Sequence, residues 1–167
     1  PPADGSISAD PTMTEIKKIT LTNPGVDVSE TRTRAWRGAE IPAAGGTGNA
    51  RSVAMIHTIL ANGGMANGKR FMSEAGCRKA LEEQIQGTDM ILGIPVRYGL
   101  GFGLSGPMSP ALNEHSMFWG GYGGSIALID MQAHTTVSYA MNRMEGTTTG
   151  DMRAISLAMQ AMPGLTA

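Results

Sequence analysis

The chain is short of charge and cysteine, and each shortage excludes something. Charged residues make up 16% of its 167 positions, against about 25% in an average domain. Thirteen Lys and Arg face 14 Asp and Glu, for a net charge of -1. A nucleic-acid binder of this size carries a basic surplus or a basic stripe, so no nucleic-acid partner is expected. The single cysteine, Cys77, excludes an intrachain disulfide framework and a multi-cysteine zinc site. It reads as a small helix-face residue rather than a reactive thiol. No apolar run approaches the roughly 18 residues that a membrane-spanning helix needs. The opening residues PPADGSISAD have neither the basic start nor the apolar core of a signal peptide. Pro1 is not an initiator residue, so removal of an upstream segment is expected. Pro2 and a polar lead without strand pattern argue against Pro1 as a catalytic base.

What the chain has is glycine and methionine. There are 23 glycines, where average usage gives about 12, and 13 methionines. The backbone is free and the core material soft.

Local signals place the elements. Thr14 caps a short helix from Glu15 to Thr22, stopped by Asn23-Pro24-Gly25. Asn49 caps a helix whose Val53, Ile56, Ile59 and Leu60 share one stripe, ended by Asn62-Gly63-Gly64. Ser73 caps a helix expected over 74–85, with Cys77, Leu81 and Ile85 on one side. Met90–Pro95 and Arg97–Leu104 read as extended chain. From Tyr98 to Leu104, apolar residues alternate strictly with glycine, which predicts a strand closely approached by another backbone or a ligand. A turn containing Pro107 and Pro110 follows. Met117–Trp119 lead into a strand interrupted by glycines and continued by Ser125–Asp130. Met131–His134 is a hairpin, Thr135–Asn142 another strand, and 150–162 an amphipathic helix ended by Pro163-Gly164. The units expected are an irregular lead and part of a helical subdomain over 1–49, a helical segment over 50–89, and an antiparallel meander with a helix over 90–167.

Most chemical motifs fail on context. Gly101-Phe102-Gly103-Leu104-Ser105-Gly106 fits G-x-G-x-x-G, but prolines follow where a dinucleotide site needs a helix. Gly63–Lys69 resembles a P-loop, but Arg70 stands where Ser or Thr must hold magnesium, and a helix precedes it. It reads as a helix–turn–helix connection. His57, His115 and His134 have no metal-ligand spacing, so no metal is expected. His115, Ser116 and Asp130 supply the residue types of a triad, with no G-x-S-x-G elbow. No serine has lysine three residues later, and no Tyr-x-Asn occurs. The chain carries no visible nucleophile-plus-base set of its own.

The strongest feature is Phe118-Trp119-Gly120-Gly121-Tyr122-Gly123-Gly124-Ser125. Four glycines in the six positions 119–124 weaken a strand. Two readings account for them: backbone N–H groups facing a substrate carbonyl, as in an oxyanion hole, or a glycine bulge at a tight bend.

This stretch resembles the serine β-lactamase-related family of class C β-lactamases, D-Ala-D-Ala carboxypeptidases and family VIII-type carboxylesterases. The landmarks occur in family order: Ala35–Ala44, Gly45–Arg51, the Leu92–Gly103 strand, Trp119-Gly120-Gly121 and Tyr139–Met144. The resemblance implies an α+β, sandwich-like fold, an antiparallel sheet flanked by helices. It implies acyl transfer through a serine in Ser-x-x-Lys with a tyrosine shuttling the proton, both upstream of the matched region. It thus implies that the chain is the C-terminal part of a larger enzyme, completing a sheet begun by an N-terminal portion, itself expected as a second chain. By position, Trp119, Gly120 and Gly121 line the acyl pocket and the Tyr122 backbone N–H is an oxyanion donor. Trp119 stands where lactamases have the lysine of Lys-Thr-Gly, which favours a neutral small-molecule ester over a β-lactam or peptide. Arg97 or Arg143 could restore the cation, though each reads more simply as a solvent-facing residue. No cofactor is expected. A β-lactam-binding or D-amino-acid peptidase relative, or a non-catalytic module keeping the scaffold, are the alternatives.

Overall fold

The computed structural model describes residues 13–25, 27–106, 109 and 112–161. The expectations for Pro1, Pro107, Pro110 and the Pro163-Gly164 stop lie outside these residues.

Helices begin where a short polar side chain satisfies a free amide. Thr14 accepts from Lys17 N–H and opens α1 (Glu15–Thr22). A 3-10 turn, Val28–Arg32, precedes α2 (Arg34–Gly38), capped by Thr33. Asn49 accepts from Ser52 N–H at 3.0 Å and opens α3 (Ala50–Ala61). Gly63 and Gly64 take left-handed φ values of +58° and +94° to end it. The 63–70 connection is more than a link between helices. It carries a small hairpin of β1 (Met65–Ala66) and β2 (Lys69–Arg70). Ser73 then caps α4 (Glu74–Arg78) through Gly76 N–H at 3.0 Å.

Sequence expectations change in three stretches over the next fifty residues. The helix expected over 74–85 stops at Arg78, tightens into a 3-10 turn at Lys79–Leu81, and gives way to β3 (Ile85–Thr88). Ile85 is 60% exposed rather than facing Leu81 inward. Its segment takes its backbone partners from β4 (Pro95–Tyr98) instead of from a helix. Asp89 closes that hairpin: its Oδ1 accepts from Ile91 and Leu92 N–H, each at 2.8 Å, so Met90–Leu92 is a turn and not a strand.

The Tyr98–Leu104 alternation is likewise not one strand. The chain bends at 99–102, with Gly99 N–H donating to the Phe102 carbonyl at 2.9 Å and Gly101 at φ +81°. It returns as β5 (Gly103–Leu104), which pairs Gly103 with Tyr98. The neighbour that the glycines admit is the protein itself. A Cβ on Gly99 would overlap the Ala80 carbonyl, and one on Gly103 would lie 2.7 Å from the Phe118 ring.

The third change is at 116–130. The glycines do not interrupt one strand; they turn β6 (Ser116–Gly120) back onto β7 (Ile126–Asp130), pairing Gly120 with Ile126 and Ser116 with Asp130. The expected hairpin at 131–134 leads to β8 (Thr135–Tyr139), shorter than the predicted strand, and α5 (Met152–Ala161) follows.

The result is an α+β architecture: a six-stranded antiparallel sheet in the order β3-β4-β5-β6-β7-β8, flanked by helices. α3 packs on β7 and β8, with Thr136 Oγ1 donating to the Ala54 carbonyl at 3.1 Å. Small residues at Ala54 and Ala61 let that helix sit close, while Ile56, expected in the buried stripe, is 65% exposed. Ala61, Cys77, Ala80, Leu104, Met117, Ile129 and Met131 form the core on this face. Alternation along β7 sends Ile126 and Leu128 to the other face, where α5 meets β7 and β8 with Ala154 and Ala158 buried. β8 is an edge strand, with no partner on its outer side among the described residues. Among those residues no helix is long and apolar enough to cross a membrane.

Candidate functional site

The turn between β6 and β7 concentrates the glycines, and each has an internal reason. A Cβ on Gly120 would overlap the Thr149 carbonyl, and one on Gly124 the Asp151 carboxylate. A Cβ on Gly123 would press on the methyl groups of Met141 and Met144 at 2.8 and 2.7 Å. Gly123 and Gly124 also take φ values of +95° and +115°, which glycine adopts without strain. The cluster lets the segment 141–151 close over the turn.

That packing ties the turn's amides. Gly121 N–H donates to the Ser125 carbonyl at 2.9 Å, Gly123 N–H to Thr147 at 2.8 Å and Gly124 N–H to Gly121 at 3.3 Å. Between them, the Tyr122 N–H has no acceptor among the described residues. Gly121 and Tyr122 are half-buried, whereas Gly120 is buried with its α-carbon turned toward Thr149. Trp119, the last side chain before the glycines, is 48% exposed, and its ring centroid lies 5.7 Å from that of Tyr98. The Tyr98 hydroxyl donates to Asp89 Oδ2 at 3.4 Å. Burial, and then the neighbouring Asp89 carboxylate, push the Tyr98 phenol up. It is a protonated group at neutral pH and not a base. Trp119, Gly121, the Tyr122 amide and Tyr98 therefore gather at one end of β6.

The triad candidates do not form a relay. The single Ser116 hydroxyl proton is shared between Asp130 Oδ2 at 3.1 Å and Asn113 Oδ1 at 3.0 Å. The Asn113 amide donates to the same Asp130 oxygen at 2.8 Å, and Gln132 and Ala133 N–H to the other, both at 2.8 Å. His115 is exposed, and its backbone N–H, not its ring, joins the group through Asn113. His57 Nδ1 meets its own helix at the Val53 carbonyl, 2.7 Å away, and His134 Nδ1 meets the Ala61 carbonyl at 3.0 Å. Cys77 is fully buried, which pushes its thiol up and leaves it protonated. Among the described residues, no cluster of three or more His, Cys, Asp or Glu could hold a metal.

A cavity of about 310 Å³ lies at the Ser116 end of β6, away from Tyr122, lined by Leu81, Arg97, Leu104, Ser105, Glu114 and Ser116. Three of its polar side chains are engaged: Arg97 binds Glu83 at 2.7 Å and the Ser105 carbonyl at 2.9 Å, Ser105 Oγ donates to the Leu112 carbonyl at 2.7 Å, and Ser116 belongs to the Asp130 group. Arg97 is thus not a free cation for a substrate. Arg143 is 83% exposed and 3.9 Å from Glu145. The sequence reading missed Asp151 and Arg153, which abut the glycine turn. Asp151 carried a visible signal as an acidic residue just before a helix; Arg153 carried none.

The comparisons with known proteins agree on one family. The Beta-lactamase family profile matches residues 6–161. The crystal structure of a family VIII carboxylesterase superposes with a TM-score of 0.83 at 31% identity, over 90% of this chain and 41% of that one. A penicillin-binding protein homolog from Caulobacter crescentus superposes with a TM-score of 0.71 at 30% identity, over 78% of this chain and 36% of that one. The chain thus spans about two-fifths of the length of these solved structures. No curated protein gives a significant match.

Proposed function

Because the chain belongs to the Beta-lactamase family, we propose that it supplies the oxyanion and acyl-pocket half of a serine hydrolase acting on carboxylic esters. The Tyr122 N–H carries this reading. It is an amide with no acceptor among the described residues, between amides that are tied, three residues after the exposed Trp119. In acyl transfer a serine oxygen attacks the ester carbonyl carbon and the carbonyl π electrons move onto oxygen. The Tyr122 N–H and the nucleophile's own N–H hold that oxyanion. The proton lost by the serine passes through the shuttling tyrosine to the leaving oxygen, collapse expels the alcohol, and water then hydrolyses the acyl-enzyme, returning a proton to the serine. Removing one such donor typically costs about 10²–10³ in kcat. Ser-x-x-Lys and the shuttling tyrosine belong, in this reading, to an N-terminal portion held as a second chain. That portion begins the sheet that β3–β8 complete, joining it at the open edge of β8, and this chain alone is inactive. Trp119 in the place of a lysine offers an apolar wall and no cation, which suits a small neutral ester. The likeness to a family VIII carboxylesterase supports the ester assignment.

The test is a nitrophenyl ester given to the complete enzyme. The expected outcome is acylation of a serine outside this chain, loss of turnover in Tyr122→Pro, which removes the N–H, and retained kcat in Tyr122→Phe, which keeps it. Full activity in Tyr122→Pro sinks the oxyanion assignment. A second reading, a β-lactam-binding or D-amino-acid peptidase relative, draws on the likeness to the penicillin-binding protein homolog. Stable acylation by penicillin with slow ester hydrolysis would favour it. A complete protein without Ser-x-x-Lys would instead favour a non-catalytic module.

A further inference from the structure

We propose that Arg153, aligned by Asp151, is a positioning residue that sets the Tyr122 amide, an inference that rests on the oxyanion reading above. A turn that offers an amide to a substrate must not follow the substrate as it moves, and glycines on both sides make this turn soft. The rigidity comes from the segment that leads into α5. Glu145 N–H donates to the Gly123 carbonyl at 3.0 Å, Gly123 N–H to the Thr147 carbonyl at 2.8 Å, and Gly150 N–H to the Gly121 carbonyl at 3.3 Å. The peptides on either side of Tyr122 are therefore bonded to residues 145–150.

Arg153 bridges this segment and the turn. Its Nη2 donates to the Gly123 carbonyl at 3.4 Å, and its Nη1 to the Arg143 carbonyl at 3.0 Å. Its Nε donates to Asp151 Oδ2 at 3.0 Å, and Nη2 also binds that oxygen. The other Asp151 oxygen accepts from Arg153 and Ala154 N–H at 2.9 and 3.3 Å, opening α5. The guanidinium is thus hydrogen-bonded to two carbonyls and one carboxylate of the protein, with the Glu145 carboxylate 3.9 Å away as a second ion-pair partner, and its planar fork fixes their mutual angles as a lysine cannot. One carbonyl belongs to the residue after Tyr122. This arrangement assigns Arg153 an inward, positioning part rather than a grip on a substrate carboxylate.

The experiment measures kcat and KM for a nitrophenyl ester on the complete enzyme carrying Arg153→Ala, Arg153→Lys or Tyr122→Pro, with thermal unfolding of each. Arg153→Ala is expected to lower kcat by about 10- to 100-fold, since misplacement by about 1 Å costs that much, with KM within about twofold. Added guanidinium is expected to restore part of kcat. Arg153→Lys should lose about 3- to 10-fold, keeping charge without the fork. It stands in should Arg153→Ala fail to fold. Wild-type kcat in a folded Arg153 variant overturns the inference. So does a fall in kcat that tracks lost thermal stability and is not rescued by guanidinium. If Tyr122→Pro stays fully active, the oxyanion reading fails. If it is dead while Arg153→Ala is fully active, only the positioning inference fails.

Discussion

Asp130 is 1% exposed, yet four donors meet its two oxygens. Burial alone would raise its pKa; the Ala133 N–H, with the Asn113, Ser116 and Gln132 donors, outweighs it and holds the carboxyl below the usual range. The charge therefore belongs to the folded state. Asp130→Asn faces the Asn113 amide and Ser116 hydroxyl with another donor, and is expected to destabilise by about 2 kcal/mol in thermal or denaturant unfolding. A depressed folded pKa fixes the sign of the pH dependence. The contribution is present above the unfolded value of about 3.9 and is lost as pH falls through the folded value. The gap between wild type and Asp130→Asn is thus expected to be constant near neutrality and to close below about pH 4. Thr147 is the opposite case, with a buried hydroxyl that has no partner among the described residues. Thr147→Val removes that group while leaving the backbone carbonyl that serves Gly123, and is expected to stabilise by about 1 kcal/mol.

At the scale of elements, glycine sorts by what lies opposite it. Gly99 faces the Ala80 carbonyl, whereas Gly87 in β3 has open space where a Cβ would go. Gly99→Ala must separate two backbones that join the 3-10 turn to the sheet, and is expected to cost about 3 kcal/mol. Gly87→Ala is expected to be neutral or to gain about 0.5 kcal/mol. Equal denaturation midpoints for the two variants would contradict this. The same division explains what the sequence revealed. Thr14, Asn49 and Ser73 mark their helices correctly because a cap is a contact three residues long. The helix–strand division at Arg78–Ile85 is not local. Leu81 and Ile85 have helical spacing, but Ile85 pairs with Tyr98 thirteen residues on. The glycines at 99–103 read as one face of a strand and those at 120–124 as substrate-facing amides or a bulge, because what they accommodate, Ala80 and residues 141–151, comes from elsewhere in the chain. At the candidate site, Trp119 and the Tyr122 amide could be named from the Trp-Gly-Gly pattern and its family resemblance. Arg153 could not, since its partners are backbone carbonyls that leave no trace in residue type.

For the molecule as a whole, the two sides of the sheet end differently. β3 is a short exposed edge, while β8 is backed by α3 on one face and α5 on the other and still has an unpaired outer edge among the described residues. α1, the following 3-10 turn and α2 contain no buried residue, and Ile16 and Ile19 are exposed. Both features suit a chain that meets further structure, and they support the proposed N-terminal portion. Hydrogen exchange provides the check. In this chain alone, β7 amides are expected to be protected while the outward-facing amides of β8 exchange fast. In the complete protein the β8 amides should become slow. Equal exchange in both states would show that the edge stays uncovered.

The Tyr122 amide, flanked by bonded peptides, also bears on how such a site can change over generations. A donor supplied by the main chain is present with nineteen of the twenty residue types, proline being the exception. In the oxyanion role proposed above, position 122 is free to drift and alter the shape presented to an acyl group, while the proposed donor is held by the glycines and by the Arg153 brace inferred above. Randomising 122 should yield enzymes that differ in substrate preference far more than in whether they turn over.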